Sequence, residues 1–278
     1  MNNFAAIQMI SESNPEINLS RLKQLLIELS PAENQLVVLP ENVLRFADKE
    51  QYLAIAEELG HGAYQEQLAA LAKQYRCYLI CGSFPIKSDG DNKVFTTMLV
   101  FSPQGKLICH YHKLHLFDAL VTDNKGVYKE SDSFLAGQEI KLFDWTIDSS
   151  TSVKVGLAIC YDLRFPALFQ TLRAQGAEVI VIAAAFTRVT GEVHWQPLLQ
   201  ARAIENQCYV VAANQGGLNS AGRETFGHSM IISPWGEILN QLEFGEGVIQ
   251  ADFKKSLLEE VRQAMPVVLH NRFQHSLY

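Results

Sequence analysis

Val153-Lys154-Val155-Gly156-Leu157-Ala158-Ile159-Cys160-Tyr161-Asp162-Leu163-Arg164-Phe165-Pro166 is the stretch on which the fold turns. Its first half is a nearly continuous apolar run, the pattern of a strand covered on both faces. From Pro166 to Gln175 the pattern becomes helical, with Pro at the first helical position and Gly176 placed as a C-terminal stop. A buried strand that turns sharply into a helix is the unit of an α/β domain, and Cys160 occupies the turn.

The same alternation runs outward through the chain. Further strands are expected over Phe4–Met9, Leu36–Leu39, Tyr78–Phe84, Val94–Phe101, Leu107–Tyr111, Val179–Ile182, Tyr209–Ala213, His228–Ile232 and Val248–Ala251. A helix starts at Asn14-Pro15, as N-cap and first helical residue, with Ile17, Leu22, Leu25, Leu26 and Leu29 as its apolar side chains. Others are expected over Gly62–Tyr75 and His194–Asn206. Pattern alone leaves open whether the strands form one sheet or two.

The 278 residues allow one large domain or two small ones. With 48% hydrophobic and 19% charged residues, the balance is that of a globular enzyme. A net charge of −7 offers no basic footprint for nucleic acid or anionic lipid. Met1 to Ile10 reads as a short strand and lacks the features of a signal peptide. No apolar run approaches the roughly 20 residues needed to span a bilayer. Five cysteines, an odd number in a chain this long, point to reduced thiols and a cytoplasmic location.

Three residues stand out chemically. A thiol on a strand-to-helix turn is lifted clear of the sheet toward backbone N–H groups, and the positive helix end favours thiolate. The alternative for Cys160 is an inert buried cysteine, which Cys77, Cys81 and Cys208 resemble. Glu41 is the first charged group beyond the buried strand Leu36-Val37-Val38-Leu39-Pro40, where a general base is well placed. It could equally be a solvated loop carboxylate. Lys113 lies in the apolar and aromatic run Leu107 to Phe117 and needs a partner if buried. Its alternative is a strand-end lysine reaching water. His110, His112 and His115 suggest a metal by spacing, but no accompanying ligand motif supports one, and a polar cluster around Lys113 is the simpler reading. Gly216-Gly217 and Gly222 form no phosphate fingerprint and read as a surface loop.

Leu39-Pro40-Glu41-Asn42, His112-Lys113-Leu114-His115-Leu116-Phe117-Asp118 and Ile159-Cys160-Tyr161-Asp162-Leu163-Arg164-Phe165-Pro166, in that order, resemble the three catalytic blocks of the nitrilase superfamily of carbon–nitrogen hydrolases. The similarity runs from about Phe4 to Phe273. The resemblance implies a single domain over residues 1–278 with a four-layer αββα sandwich, assembled as a homodimer or larger homo-oligomer. It also implies a Glu41–Lys113–Cys160 catalytic set supported by Glu130, a thioester on Cys160, and no metal or organic cofactor. The backbone N–H of Tyr161 would join Lys113 at the oxyanion.

Phe186–Thr190 with Gly191, His194-Trp195, Ala201 to Tyr209, Gly227-His228-Ser229-Met230 and Pro234-Trp235-Gly236 look most like the deaminated glutathione amidases, with the omega-amidases on short α-keto acid amides as the alternative. Tyr161-Asp162 after the nucleophile, where true nitrilases usually carry Trp-Glu, disfavours nitriles. Ala183-Ala184 and the loop Ala119–Gly126 depart from the branch pattern and are candidates for the pocket wall. A small-molecule amide bearing a carboxylate would pair with Arg164, with a hydroxyl from Thr187 and an apolar wall from Phe186. The alternative for Arg164 is a structural pair with Asp162 or another acid. A catalytically silent scaffold of the same fold is the reading from a different class.

Overall fold

The computed structural model describes residues 4–89, 93–122, 126–220 and 222–273. Two mixed sheets organise them. The first runs β15 (Gly247–Ala251), β1 (Phe4–Gln8), β2 (Leu36–Val38), β3 (Tyr78–Lys87), β4 (Val94–Phe101) and β5 (Leu107–His112), with the short β8 (Phe134–Leu135) beside β4. The second runs β14 (Ile238–Leu242), β13 (Ser229–Ile232), β12 (Tyr209–Asn214), β11 (Val179–Ala184), β10 (Ser152–Ile159) and β9 (Leu142–Thr146). A ribbon of β6 (Asp118–Leu120) and β7 (Val127–Lys129) stands apart from both. The helices are α1 (Pro15–Leu29), α2 (Lys49–Leu53), α3 (Ala63–Tyr75), α4 (Pro166–Ala174), α5 (Arg188–Asn206), α6 (Lys255–Ala264) and α7 (Val267–His270).

In each sheet three neighbouring strands are parallel, β1 with β2 and β3, and β10 with β11 and β12. Successive side chains of a strand point to opposite faces, and here both faces are covered. Ala6, Leu36, Val38, Ile80, Met98 and Val100 enter the core shared with the second sheet. Their neighbours Ala5, Ile7, Val37, Leu79, Leu99 and Phe101 pack with Leu22 and Leu26 of α1 and Leu68 and Leu71 of α3. The second sheet is covered in turn by Phe169 and Leu172 of α4 and Leu199 and Ala203 of α5. Helix, sheet, sheet, helix is the four-layer αββα sandwich. Two covered faces explain why the strands read as apolar runs without polar alternation.

The ends of several elements differ from the sequence expectation. Asn14 caps α1 through Oδ1, 3.0 Å from the N–H of Glu16. Ile17, however, is 45% exposed, and Asn18 takes the inward position, donating to the carbonyls of Glu12 and Leu44. Helix α5 begins at Arg188 rather than His194, because Thr187 caps it and Gly191 lets Phe226 approach the backbone. Strands β9 and β14 and helix α6 have no counterpart among the expected elements, although β9 buries alternate residues Phe143 and Trp145 and α6 buries Leu258 and Val261 at helical spacing. Among the described residues, no helix is long and apolar enough to cross a membrane.

Candidate active site

Glu41 follows β2, Lys113 follows β5, Cys160 follows β10 and Ala185 follows β11, so the carboxyl ends of four strands converge. Each arrival has a local cause. Pro40 ends the ladder at β2, and Asn42 turns the chain in the left-handed region with φ 59° while its N–H donates to Ser83 Oγ at 2.8 Å. Gly82 makes room for that segment, since a Cβ there would stand 2.2 Å from the carbonyl oxygen of Leu39. Gly137 does the same for Lys113: its N–H donates to the Lys113 carbonyl at 2.8 Å, and a Cβ would stand 2.2 Å from the carbonyl oxygen of His112. Cys160 has φ 47°, a conformation that costs a non-glycine residue about 1–3 kcal/mol and persists only where the surroundings impose it.

Asp162 imposes it. Its carboxylate is fully buried and accepts from Tyr111 Oη at 2.7 Å, the Ile159 N–H at 2.9 Å and the His115 N–H at 3.1 Å. His115 Nδ1 lies 2.7 Å from the same carboxylate, and its ring stacks on Phe165 at 3.7 Å. One side chain thereby ties the residue before Cys160 to the segment that carries Lys113.

Lys113 is 2% exposed, which removes the reading of a lysine reaching water. Its Nζ lies 3.1 Å from Glu41 Oε1 and 2.9 and 3.1 Å from the two oxygens of Glu130. Glu41, 6% exposed, is no solvated loop group; its Oε2 accepts from the Ala185 N–H at 2.9 Å. Glu130 is held by the Phe117 N–H at 2.6 Å and by Thr96 Oγ1 at 3.3 Å. Burial works against the Lys113 charge, but Glu130 and Glu41 outweigh it and hold the ammonium well above the usual lysine range.

The thiol of Cys160 feels the opposite balance. Burial pushes it well above the ordinary cysteine value, Glu41 adds to the rise, and Lys113 opposes it in part. The sequence expectation of a helix-stabilised thiolate runs against this balance. A 3-10 turn, Cys160–Arg164, intervenes before α4 begins at Pro166, so the helix end is a turn too far away. Cys77 and Cys208 are pushed up to about 12 and about 11 by burial, and Cys81 higher still, as inert core thiols are.

These groups open onto a cavity of about 350 Å³. Tyr161, Arg164, Phe186 and Thr187 all line it. Arg164 does not pair with Asp162, whose oxygens are already taken; its Nη1 lies 3.2 Å from His194 Nδ1, and its guanidinium sits 5.3 Å from the Phe186 ring centre. The Thr187 hydroxyl is engaged with Thr190 Oγ1 at 2.9 Å while capping α5. Ala183 and Ala184 lie fully buried within β11, so the pocket wall begins at Ala185. Residues 123–125 of the departing loop lie outside the described residues.

The histidines do not cluster around Lys113. His112 stacks on Phe95 at 4.1 Å and lies 2.8 Å from Thr97 Oγ1, and only His115 reaches the site, through Asp162. Among the described residues no group of three or more His, Cys, Asp or Glu is arranged to hold a metal. Sequence reasoning passes over two residues. Asp162 appears there as a partner for Arg164, and Arg223 belongs to the glycine-containing segment expected on the surface. In the fold, that segment's Gly217 and Thr225 bond each other, and Arg223 lines the cavity. No periodic pattern signals a contact of this kind.

The carbon-nitrogen hydrolase family matches residues 3–263. Deaminated glutathione amidase of Yersinia enterocolitica is 41% identical over 276 residues, covering 99% of this chain and 94% of that protein. Omega-amidase NIT2 of Xenopus tropicalis is 36% identical over 275 residues, covering 99% and 96%. The C. elegans NitFhit protein superposes with a TM-score of 0.87 at 32% identity, covering 97% of this chain and 64% of that one. Saccharomyces cerevisiae Nit3, a member of branch 10 of the nitrilase superfamily, gives 0.83 at 28% identity, covering 97% and 96%. Likeness of this extent in both sequence and fold makes the chain a member of the carbon–nitrogen hydrolase family within the nitrilase superfamily, an enzyme acting on amides.

Proposed function

We propose that the chain hydrolyses carboxylate-bearing amides through a thioester on Cys160, with deaminated glutathione as the preferred substrate. The observation that carries this is the buried Glu41–Lys113–Glu130 cluster beside Cys160 at a cavity that also holds Arg164. Glu41 takes the thiol proton as sulfur attacks the amide carbon. Lys113 and the backbone N–H of Tyr161 stabilise the tetrahedral oxyanion, each strong donor contributing about 3–4 kcal/mol. Glu41 returns the proton to the departing amine or ammonia, then activates the water that releases the acid. Glu130 keeps Lys113 charged and positioned. Arg164 pairs with the substrate carboxylate and sets the amide over Cys160.

Hydrolysis of short α-keto acid amides is the second reading, favoured by the resemblance to omega-amidase NIT2. A silent scaffold is disfavoured, because burying three charges without use costs several kcal/mol. Release of α-keto acid from deaminated glutathione and from α-ketoglutaramate, measured side by side, separates the two amidase readings. Inactivity on a broad amide panel would instead favour the scaffold.

The whole chain, residues 1–278, is proposed to work as one catalytic domain in the cytoplasm, as a homodimer or larger assembly. Exposed Val193 and Ile204 on α5, with exposed Trp235 on the adjacent turn, support self-association. Light scattering is expected to give at least twice the chain mass; a monomeric mass removes the assembly.

A further inference from the structure

Besides Arg164, the cavity contains a second arginine whose guanidinium meets no acid. Arg223 lies between two aromatic rings, 4.7 Å from the centre of Phe46 and 5.1 Å from that of Tyr128. Among the described residues its guanidinium has no hydrogen bond or ion pair, although its backbone is fastened on both sides. The Arg223 N–H donates to Asn219 Oδ1 and its carbonyl accepts from the Asn219 N–H, both at 3.0 Å. Next to it, Glu224 accepts the Arg188 N–H at 3.1 Å. A planar cation stacked on aromatic faces and held by a fixed backbone keeps its outward donors in a defined fork.

The other cations at this rim are engaged. Lys129 pairs with Asp132 at 3.7 Å, and Lys49 Nζ donates to the Asp132 carbonyl at 3.3 Å. Asp48 is occupied in capping α2. Two arginines therefore remain for anionic groups of a ligand. They sit at opposite ends of an aromatic arc: Arg223 on Tyr128, Tyr128 at 5.0 Å from Phe117, Phe117 at 5.0 Å from Tyr161, and Arg164 at 6.0 Å from Tyr161. Three rings lie between them, so they serve separate groups. Arg164 belongs to the Cys160 turn. Arg223 rests on Phe46, which follows Glu41 by five residues and lines the same cavity, leaving it for the group at the other end of the amide.

We propose that Arg223 is the subsite for a carboxylate on the leaving amine, so that this pocket selects amides with a carboxylate at each end. The inference rests on the thioester reading and names its leaving-group specificity. Deaminated glutathione fits that description, since its leaving dipeptide ends in a glycine carboxylate, whereas α-ketoglutaramate releases only ammonia.

The test uses three amides of the same α-ketoglutaryl group: the primary amide, the cysteinylglycine amide, and the latter with its terminal carboxylate converted to a carboxamide. The wild type is expected to favour the free carboxylate over the capped form. Arg223→Ala is expected to lower that ratio of kcat/KM about 10- to 100-fold, the worth of a charge-assisted pair, through KM rather than kcat. Arg223→Lys should restore part of the ratio. Arg223→Gln, of similar reach against Phe46 and Tyr128, gives the same reading if the alanine variant does not fold. A wild type active on these amides whose ratio survives Arg223→Ala and Arg223→Gln overturns this proposal alone. A wild type inactive on all three overturns the functional reading together with it.

Discussion

In the proposed mechanism Cys160 keeps its proton until Glu41 takes it, and burial is the main influence that pushes the thiol up. The carboxylate of Glu41 raises the thiol and the ammonium of Lys113 lowers it. Glu41→Gln removes the raising charge and leaves the lowering one. The Cys160 pKa must then fall, while a proton acceptor is lost. We expect turnover to drop at least about 100-fold, the lower range for a general base, even as the resting thiolate fraction increases. Ultraviolet thiolate titration, taken as a difference from Cys160→Ala, reads the second effect. A Cys160 pKa that stays put or rises in Glu41→Gln would show that the charge on Glu41 does not raise the thiol.

The next scale is the turn after β10 and the segment after β5, which reach the site from different sheets. Asp162 joins them by accepting from Tyr111, Ile159 and His115, with no exposure to water. Asparagine has the same shape but replaces one accepting oxygen with an NH2 group, which must face a donor. Asp162→Asn is expected to cost about 1–3 kcal/mol, as a buried group left unsatisfied does. For a chain of this size that lowers the melting temperature by about 2–5 °C. Activity should fall further than the melt predicts, in kcat more than KM, because Cys160 loses its enforced φ. Differential scanning calorimetry and steady-state kinetics on one preparation measure both; unchanged kcat would reduce Asp162 to a packing residue.

For the molecule as a whole, acid is a particular hazard because of histidines held neutral in the first sheet. Burial lowers His112 from 6.5 to about 4, with smaller contributions from His110 and Lys141. The unfolded chain binds that proton near pH 6.5 and the folded chain only near pH 4. Stability from this group is therefore complete above about 6.5 and is lost progressively as the pH falls toward 4. His112→Phe keeps the stack on Phe95 and removes the titration, so denaturant midpoints should decline less steeply across that window. Parallel slopes in the two proteins would rule the His112 account out.

Some of this protein is legible from its sequence because the signals are local. The strand, turn and helix around Cys160 follow from an apolar run, a proline and a glycine, and the αββα layering agrees with strands that lack polar alternation. Glu41 and Cys160 stand out at strand ends, whereas Lys113 reads locally as a lysine reaching water and joins them only through the resemblance of the three blocks to the nitrilase superfamily. The partnerships among them cannot be read locally. Glu41 and Lys113 are 72 residues apart, and a hydrogen bond at that separation is decided by how β2 and β5 line up within one sheet rather than by any periodic pattern. The same holds for the inward turn of Asn18 in place of Ile17, for the burial that pushes the Cys160 thiol up and for Arg223. Periodicity reports which residues avoid water. Which charges share a low-dielectric pocket, and so what each can do, is settled only when distant segments are packed together.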